Sequence, residues 1–225
     1  LYINSGSRTE HGEVRGAARE VPLSSAILKV PTTGMTDLKN DNASLAPFFF
    51  ADGMRNAFDL AFNAAGDLIG TENGPDMDLP DEVNFIEQGK HYGFPWRFGD
   101  VDNPTIDPAY NKDGDKRLQA GYGSINSYVA DPTFPAAPGA FTDPIRNMGP
   151  DANFLRASRD ATTPTKAGPE GLAGVTGHRS PLGLAFDTAG ALCGDYYKEG
   201  FMLSYGALVP ASFNDPGEDL LLLKM

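Results

Sequence analysis

The chain has 225 residues, enough for one large domain or two small ones. A formal net charge of -12 argues against a nucleic-acid partner, the lone Cys193 excludes an intrachain disulfide, and no run approaches the ~18 apolar residues of a membrane span. The 26 glycines and 18 prolines suit a fold with many turns, and the acidic balance suits either a solvated surface or carboxylates gathered around a cation.

Short strand-like runs recur along the chain at residues 1–5, 25–30, 48–51, 58–62, 68–71 and 83–86, separated by Gly, Asn, Asp and Pro clusters. Helical periodicity is scarce, so the reading is all-β. Residues 94–177 are studded with Pro, Gly, Asp and Asn and read as a long loop-rich insertion. Both ends read as strand with no turn beyond them, Leu1-Tyr2-Ile3-Asn4 at the start and Leu220-Leu221-Leu222-Leu223 at the close. The expectation is a chain cut at both ends, from which a targeting segment could have been lost.

An internal repeat sharpens this. Arg55, Leu60-Ala61-Phe62, Ala65-Gly66 and Leu68 recur at one offset as Arg179, Leu184-Ala185-Phe186, Ala189-Gly190 and Leu192. The pattern is strand, Gly-bearing hairpin, strand, with Leu and Phe packed between sheets. Repeated units of this kind are blades of a β-propeller, which stack because none buries its faces alone. A blade takes roughly 40–50 residues, so the chain is expected to be one partial propeller domain over 1–225 with about three blades. Four-stranded antiparallel sheets are expected, with Leu60, Phe62, Leu184 and Phe186 in matching buried positions.

Chemistry concentrates in 53–95. The stretch reads Gly53-Met54-Arg55-Asn56, Thr71-Glu72-Asn73-Gly74-Pro75, Asp81-Glu82-Val83-Asn84 and Tyr92-Gly93-Phe94-Pro95, and His178-Arg179-Ser180-Pro181-Leu182-Gly183 follows later. In this order and spacing the motifs resemble the soluble quinoprotein glucose/sorbosone dehydrogenases and their aldose relatives. Strong matching covers about a third of the chain and hardly touches the insertion.

The resemblance implies a six-bladed propeller holding pyrroloquinoline quinone (PQQ) over its channel with Ca2+ against the quinone. It implies oxidation of an aldose-type sugar at the anomeric carbon, by hydride transfer to the cofactor, in a periplasmic or secreted protein; the sugar and the electron acceptor stay open. Arg55 matches the cofactor arginine, and a guanidinium pairs well with a carboxylate of this tricarboxylate. Asn56, Asn73 and His178 take the neighbouring cofactor-side positions. Gly74 and Pro75 would offer main-chain oxygens to Ca2+, a hard cation. Glu82, Tyr92 and Asp102 match a second, structural Ca2+ site found in some members.

Plainer readings stand beside these. Arg55 could be a surface arginine, Asn73-Gly74-Pro75 a simple turn, and Asp81 and Glu82 hydrated acids after a hairpin. Asn111-Lys112-Asp113-Gly114-Asp115 begins like a Ca2+ loop, but Tyr122 stands where the bidentate Glu belongs, and it is rejected. His91 reads as structural, and His11 lies in a loop with nothing nearby to make it a general base. The family's catalytic histidine would precede Leu1, Ser7 replaces a usual carboxylate, the late lysine is not evident near Ser204-Tyr205-Gly206, and the last cofactor arginines would follow Met225. The chain alone is therefore expected not to oxidise sugars. Two other classes remain open: a propeller that only binds partners, and a Ca2+-dependent lactone or ester hydrolase.

Overall fold

The structure, a computed structural model, describes residues 1–34, 38–39, 41–206 and 217–225. Three antiparallel sheets form its frame. The first contains β1 (Tyr2–Ser5), β2 (Ala26–Lys29) and β3 (Phe49–Asp52); one helical turn, α1 (Asn42–Leu45), precedes β3, with Asp41 accepting from Ser44 N at 2.8 Å. The second contains β4 (Ala57–Phe62), β5 (Leu68–Glu72) and β6 (Glu82–Phe85). Residues 94–177 carry only two-residue strands. These are the hairpin of β7 (Arg97–Phe98) and β8 (Val101–Asp102), then β9 (Arg146–Asn147), β10 (Asn153–Phe154), β11 (Thr165–Lys166) and β12 (Leu172–Ala173), where β10 pairs β11 and β12 pairs β9. The third sheet contains β13 (Pro181–Phe186), β14 (Gly200–Ser204) and β15 (Leu220–Leu223).

Three apolar clusters hold these parts together. Ile27, Phe50, Met54, Leu68 and Tyr92 pack between the first two sheets. Ile69, Val83, Val175, Leu184 and Met202 pack between the second and third, where β13 lies against β4 and β5 and the Asp59 carboxylate accepts from Leu184 N at 2.8 Å. The insertion is a packed body as well as loop: Phe94, Phe98, Tyr110 and Tyr128 close over Met77 and Leu79.

Among the described residues the sheets have three strands, where four were expected. The edges are taken by segments distant in sequence. Residues 89–94 run along β3, with Asp52 N to Lys90 O at 3.0 Å and Tyr92 N to Asp52 O at 2.9 Å. Along β6, Ile145 N donates to Val83 O and Val175 N to Asp81 O, both at 2.8 Å. Edge N–H and C=O groups are thereby satisfied without a regular fourth strand.

The repeat holds in the backbone and fails in part in the packing. Both hairpins turn on a left-handed glycine, Gly66 (φ +92) and Gly190 (φ +66), a conformation that favours this residue. Leu184 is buried, Leu60 and Phe186 are partly buried, and Phe62 is 47% exposed. The cross-strand partner decides the difference. Gly200 faces Phe186 and leaves its ring room to lie on the sheet, whereas Leu68 faces Phe62 and occupies that space. No helix among the described residues is long and apolar enough to cross a membrane.

Candidate functional site

Arg55, Asn56, Asn73, Gly74, Pro75 and His178 line one cleft of about 340 Å3 at the starts of β4 and β13. That volume lies within the ~300–1,000 Å3 usual for small-ligand sites. The sequence brings them there by simple means. Gly53 (φ +75) turns the chain out of β3, where any side chain would strike the His91 ring, and delivers Arg55 to the cleft. Asn73 follows the end of β5 and donates its N–H to Asn56 O at 3.1 Å, so the two amide residues are neighbours.

Arg55 is held on several sides. Its Nε donates to Glu10 O at 2.9 Å, Nη1 to Asn73 O at 3.2 Å and Nη2 to the Glu10 carboxylate. Among the described residues three of the five N–H groups of the guanidinium are thus used, leaving two. Burial works against the charge, but the Glu10 carboxylate, together with Tyr128 and Asp76, offsets it, and the Arg55 pKa is raised. Asn73 Oδ1 is buried and has no hydrogen-bond partner among the described residues, a costly state in a folded protein. An orphan acceptor in a cleft wall fits a donor or a cation.

Asp81 clasps the two halves of the cleft. Its Oδ1 accepts from Gly74 N at 2.6 Å and its Oδ2 from Ser180 N at 2.8 Å, joining residues 99 apart in sequence. Burial raises its pKa against these bonds. His178 is held in the left-handed region (φ +59), with Nε2 3.0 Å from Asp78 Oδ1 and its ring stacked on Tyr122 at 4.7 Å. Tyr122 and Asp76, which accepts from Ser124 Oγ at 2.6 Å, bring the insertion to the cleft wall.

Glu82, Tyr92 and Asp102, the second candidate metal set, lie outside the lining of that cleft. The Glu82 carboxylate is buried, accepting from Gly99 N at 2.6 Å and Asn84 Nδ2 at 3.0 Å. Tyr92 is wholly buried, its hydroxyl bonded to Phe85 O and to Glu87 N. Asp102 is exposed on β8. Among the described residues no group of three or more His, Cys, Asp or Glu side chains is placed to hold a metal ion. Asn111 caps a turn through Asp113 N, and Asp115 chelates Arg117 at 3.0 and 2.8 Å.

Two expectations change. Asp81 and Glu82 are buried at 3% and 4% exposure, so neither is a hydrated acid. His11 is not loosely held: it is 1% exposed, stacked on Tyr128 at 3.9 Å, with Nε2 3.0 Å from Ser127 Oγ. Burial lowers its pKa to about 4. Glu10, Asp78 and Asp81 were missed as supports, and no local spacing marks them, because each acts on a partner far along the chain.

Asn84 Nδ2 also lies 3.3 Å from Glu72 Oε2, so it bridges two buried carboxylates. Burial, then the nearby Glu82 charge, pushes Glu72 well up; burial pushes Glu82 to about 7. A raised carboxylate keeps a proton that the unfolded chain releases. The stability it contributes is full below the usual value of 4.5 and lost as pH rises through about 7. His11 has the opposite sign, contributing above 6.5 and losing that contribution as pH falls through about 4. His91 is lowered by burial like His11, while Glu10, Glu72, Asp52 and Asp81 are raised like Glu82, so raised carboxylates outnumber lowered imidazoles. In metal-free buffer the melting temperature is expected to be higher near pH 5.5 than near pH 8, with Glu82→Gln narrowing the gap. Equal melting temperatures at the two pH values would rule out a retained proton.

The glucose/sorbosone dehydrogenase family model matches residues 1–114. Among solved structures, the chain is similar to a glucose dehydrogenase at 17% identity and TM-score 0.46, covering 100% of this chain and 46% of that one. It is similar to the apo form of the soluble aldose sugar dehydrogenase from Escherichia coli at 14% identity and TM-score 0.45, covering 98% and 49%. It is also similar to the PQQ-bound aldose sugar dehydrogenase from Streptomyces coelicolor at 24% identity and TM-score 0.31, covering 51% and 33%. The chain spans about half the length of the first of these, and no curated protein matches it. With Arg55, Asn56, Asn73, Gly74 and Pro75 all inside a match over half its length, the chain belongs to the glucose/sorbosone dehydrogenase family.

Proposed function

We propose that the cleft binds PQQ together with Ca2+, and that the protein oxidises an aldose-type sugar at its anomeric carbon on a propeller-type frame. Its place of work, by the same family likeness, is the periplasm or the cell exterior. One observation carries the reading: Arg55, Asn56 and Asn73-Gly74-Pro75 line a single cleft with His178, more than a hundred positions away, and its wall holds Asn73 Oδ1, an acceptor unpaired among the described residues.

The residues fit the group. Arg55 has two N–H donors left for a carboxylate, and its charge is maintained by Glu10. Asn73 Oδ1 and the Gly74-Pro75 turn supply oxygen ligands of the kind a hard cation takes. Asp76 and Asp81 add negative charge to the lining, which favours a cation and opposes a bare tricarboxylate. Bound PQQ would supply a quinone carbonyl, polarised by Ca2+, that accepts hydride. The chain's own residues bind and orient: Arg55 and Asn56 at one wall, the stacked His178 and Tyr122 at the other, with Asp78 holding the His178 ring.

The test is an absorbance titration of the 225-residue chain with PQQ, with Ca2+ and with a chelator. Binding is expected with Ca2+ and a loss of at least about tenfold in affinity without it. Arg55→Ala is expected to cost about 10–100-fold, the scale of a charged hydrogen bond. A spectrum that stays that of free quinone in the presence of Ca2+ sinks the reading.

A further inference from the structure

We infer that Glu10 is the positioning residue of the cleft, fixing the Arg55 guanidinium and the 73–76 turn in the arrangement that receives a carboxylate-bearing ligand. This rests on the quinone reading for the nature of the ligand, though the arrangement stands on geometry alone.

Glu10 grips its surroundings at three points. Its carbonyl accepts from Arg55 Nε at 2.9 Å, one carboxylate oxygen accepts from Arg55 Nη2, and the other from Asp76 N. Its own main chain is fixed in turn, because Glu10 N donates to the Glu13 carboxylate at 2.9 Å. Glu10 is 8% exposed, and the Arg55 side chain is 14% exposed. Both groups are therefore largely out of water, where holding a pair requires good geometry and all oxygens satisfied. That condition is met.

The contacts account for what each end of the guanidinium does. Nε and one terminal nitrogen face Glu10, and Nη1 reaches Asn73 O at 3.2 Å. A free arginine side chain loses much rotamer freedom when a ligand fixes it, and a preset one has lost it already. The same carboxylate also fixes Asp76, the residue after Gly74-Pro75, so arginine and turn are aligned by one side chain. Glu13, by contrast, bonds within the 10–15 loop, to Glu10 N, His11 N and Arg15 Nε.

The experiment uses the 225-residue chain with two readouts. The Arg55 Nη2–H resonance, from the group that donates to the Glu10 carboxylate, is assigned by its disappearance in Arg55→Lys and followed for chemical shift and exchange. PQQ affinity is measured with Ca2+ well below the melting temperature. In Glu10→Ala the resonance is expected to lose its protection, and affinity to fall at least about tenfold, the loss of one charged contact's worth of preset geometry. Glu10→Gln keeps one acceptor and places an amide against the other donor, so an intermediate loss is expected; it also serves if the alanine variant does not fold. A purely structural Glu10 would lower the melting temperature and leave affinity and resonance in place, and that result overturns the inference. So does an altered resonance with affinity within threefold of the parent chain. If the parent chain itself binds no PQQ, the ligand reading fails, while an exposed Arg55 Nη2–H in Glu10→Ala still supports the positioning role and an unchanged one overturns it.

Discussion

Asp81→Ala is expected to destabilise the chain by about 2–4 kcal/mol and to open the cleft. The carboxylate accepts from Gly74 N and Ser180 N, and alanine leaves both partly buried N–H groups without this partner. Each such orphan costs about 1–3 kcal/mol. The full sum is not reached, because alanine also removes a buried carboxyl whose raised pKa records a desolvation cost. Asp81→Asn keeps one acceptor but turns an amide NH2 toward the second donor, so it is expected to fall between alanine and the parent chain. The position is sensitive because two segments meet there: Val175 N donates to Asp81 O at 2.8 Å, and Gly174 packs so closely on that carbonyl that a side chain has no room. Urea midpoints measured at equal slope decide the matter. A shift under about 0.5 kcal/mol, the range of an ordinary surface substitution, would show that water replaces the clasp.

Local chemistry was legible in the sequence. Hairpins at 63–67 and 187–191 follow from Asn or Asp with glycine, and the first three strands of the site region follow from β-branched and aromatic runs bounded by turn residues. The convergence of Arg55, Asn73 and His178 was legible through the repeat and the motif order. The supports were not, for a physical reason: they act across the chain. Glu10 meets Arg55 at a separation of 45, Asp78 meets His178 at 100 and Asp81 meets Ser180 at 99. Nothing in Thr9-Glu10-His11 announces a buried acid. Loop composition suggested a His11 with nothing nearby, although Tyr128 and Ser127 from the insertion enclose it. The Phe62 error has the same origin, since the side chain across the strand pair sets burial and no single-strand pattern contains it.

Gly74→Ala is expected to leave the chain folded and remove most of its Ca2+-dependent quinone binding. A methyl group at Gly74 would stand 2.5 Å from Pro80 O and 2.9 Å from Asp81 Oδ1. Gly74 is not in the left-handed region, so the cost comes from contact and not from backbone conformation. A main-chain oxygen cannot swing aside like a side-chain tip. The 73–76 turn must therefore move away from 80–81, stretching the 2.6 Å bond from Gly74 N to Asp81. Overpacking of this kind costs about 1–3 kcal/mol, which lowers the melting temperature without unfolding the chain. Binding suffers more, because in the proposed site Gly74 and Pro75 hold Ca2+ through oxygens at about 2.3–2.6 Å, and a shift of a few tenths of an ångström spoils several at once. The expected loss is at least about tenfold in quinone affinity with Ca2+, with little further loss when a chelator is added. Gly114→Ala is the control: a methyl there meets nothing within 4 Å, and neither stability nor binding is expected to change. A Gly74→Ala chain that binds quinone as tightly as the parent, and still in a Ca2+-dependent way, would take the ion away from this turn and leave Asn73 Oδ1 and the acidic residues of the lining as its remaining oxygen ligands.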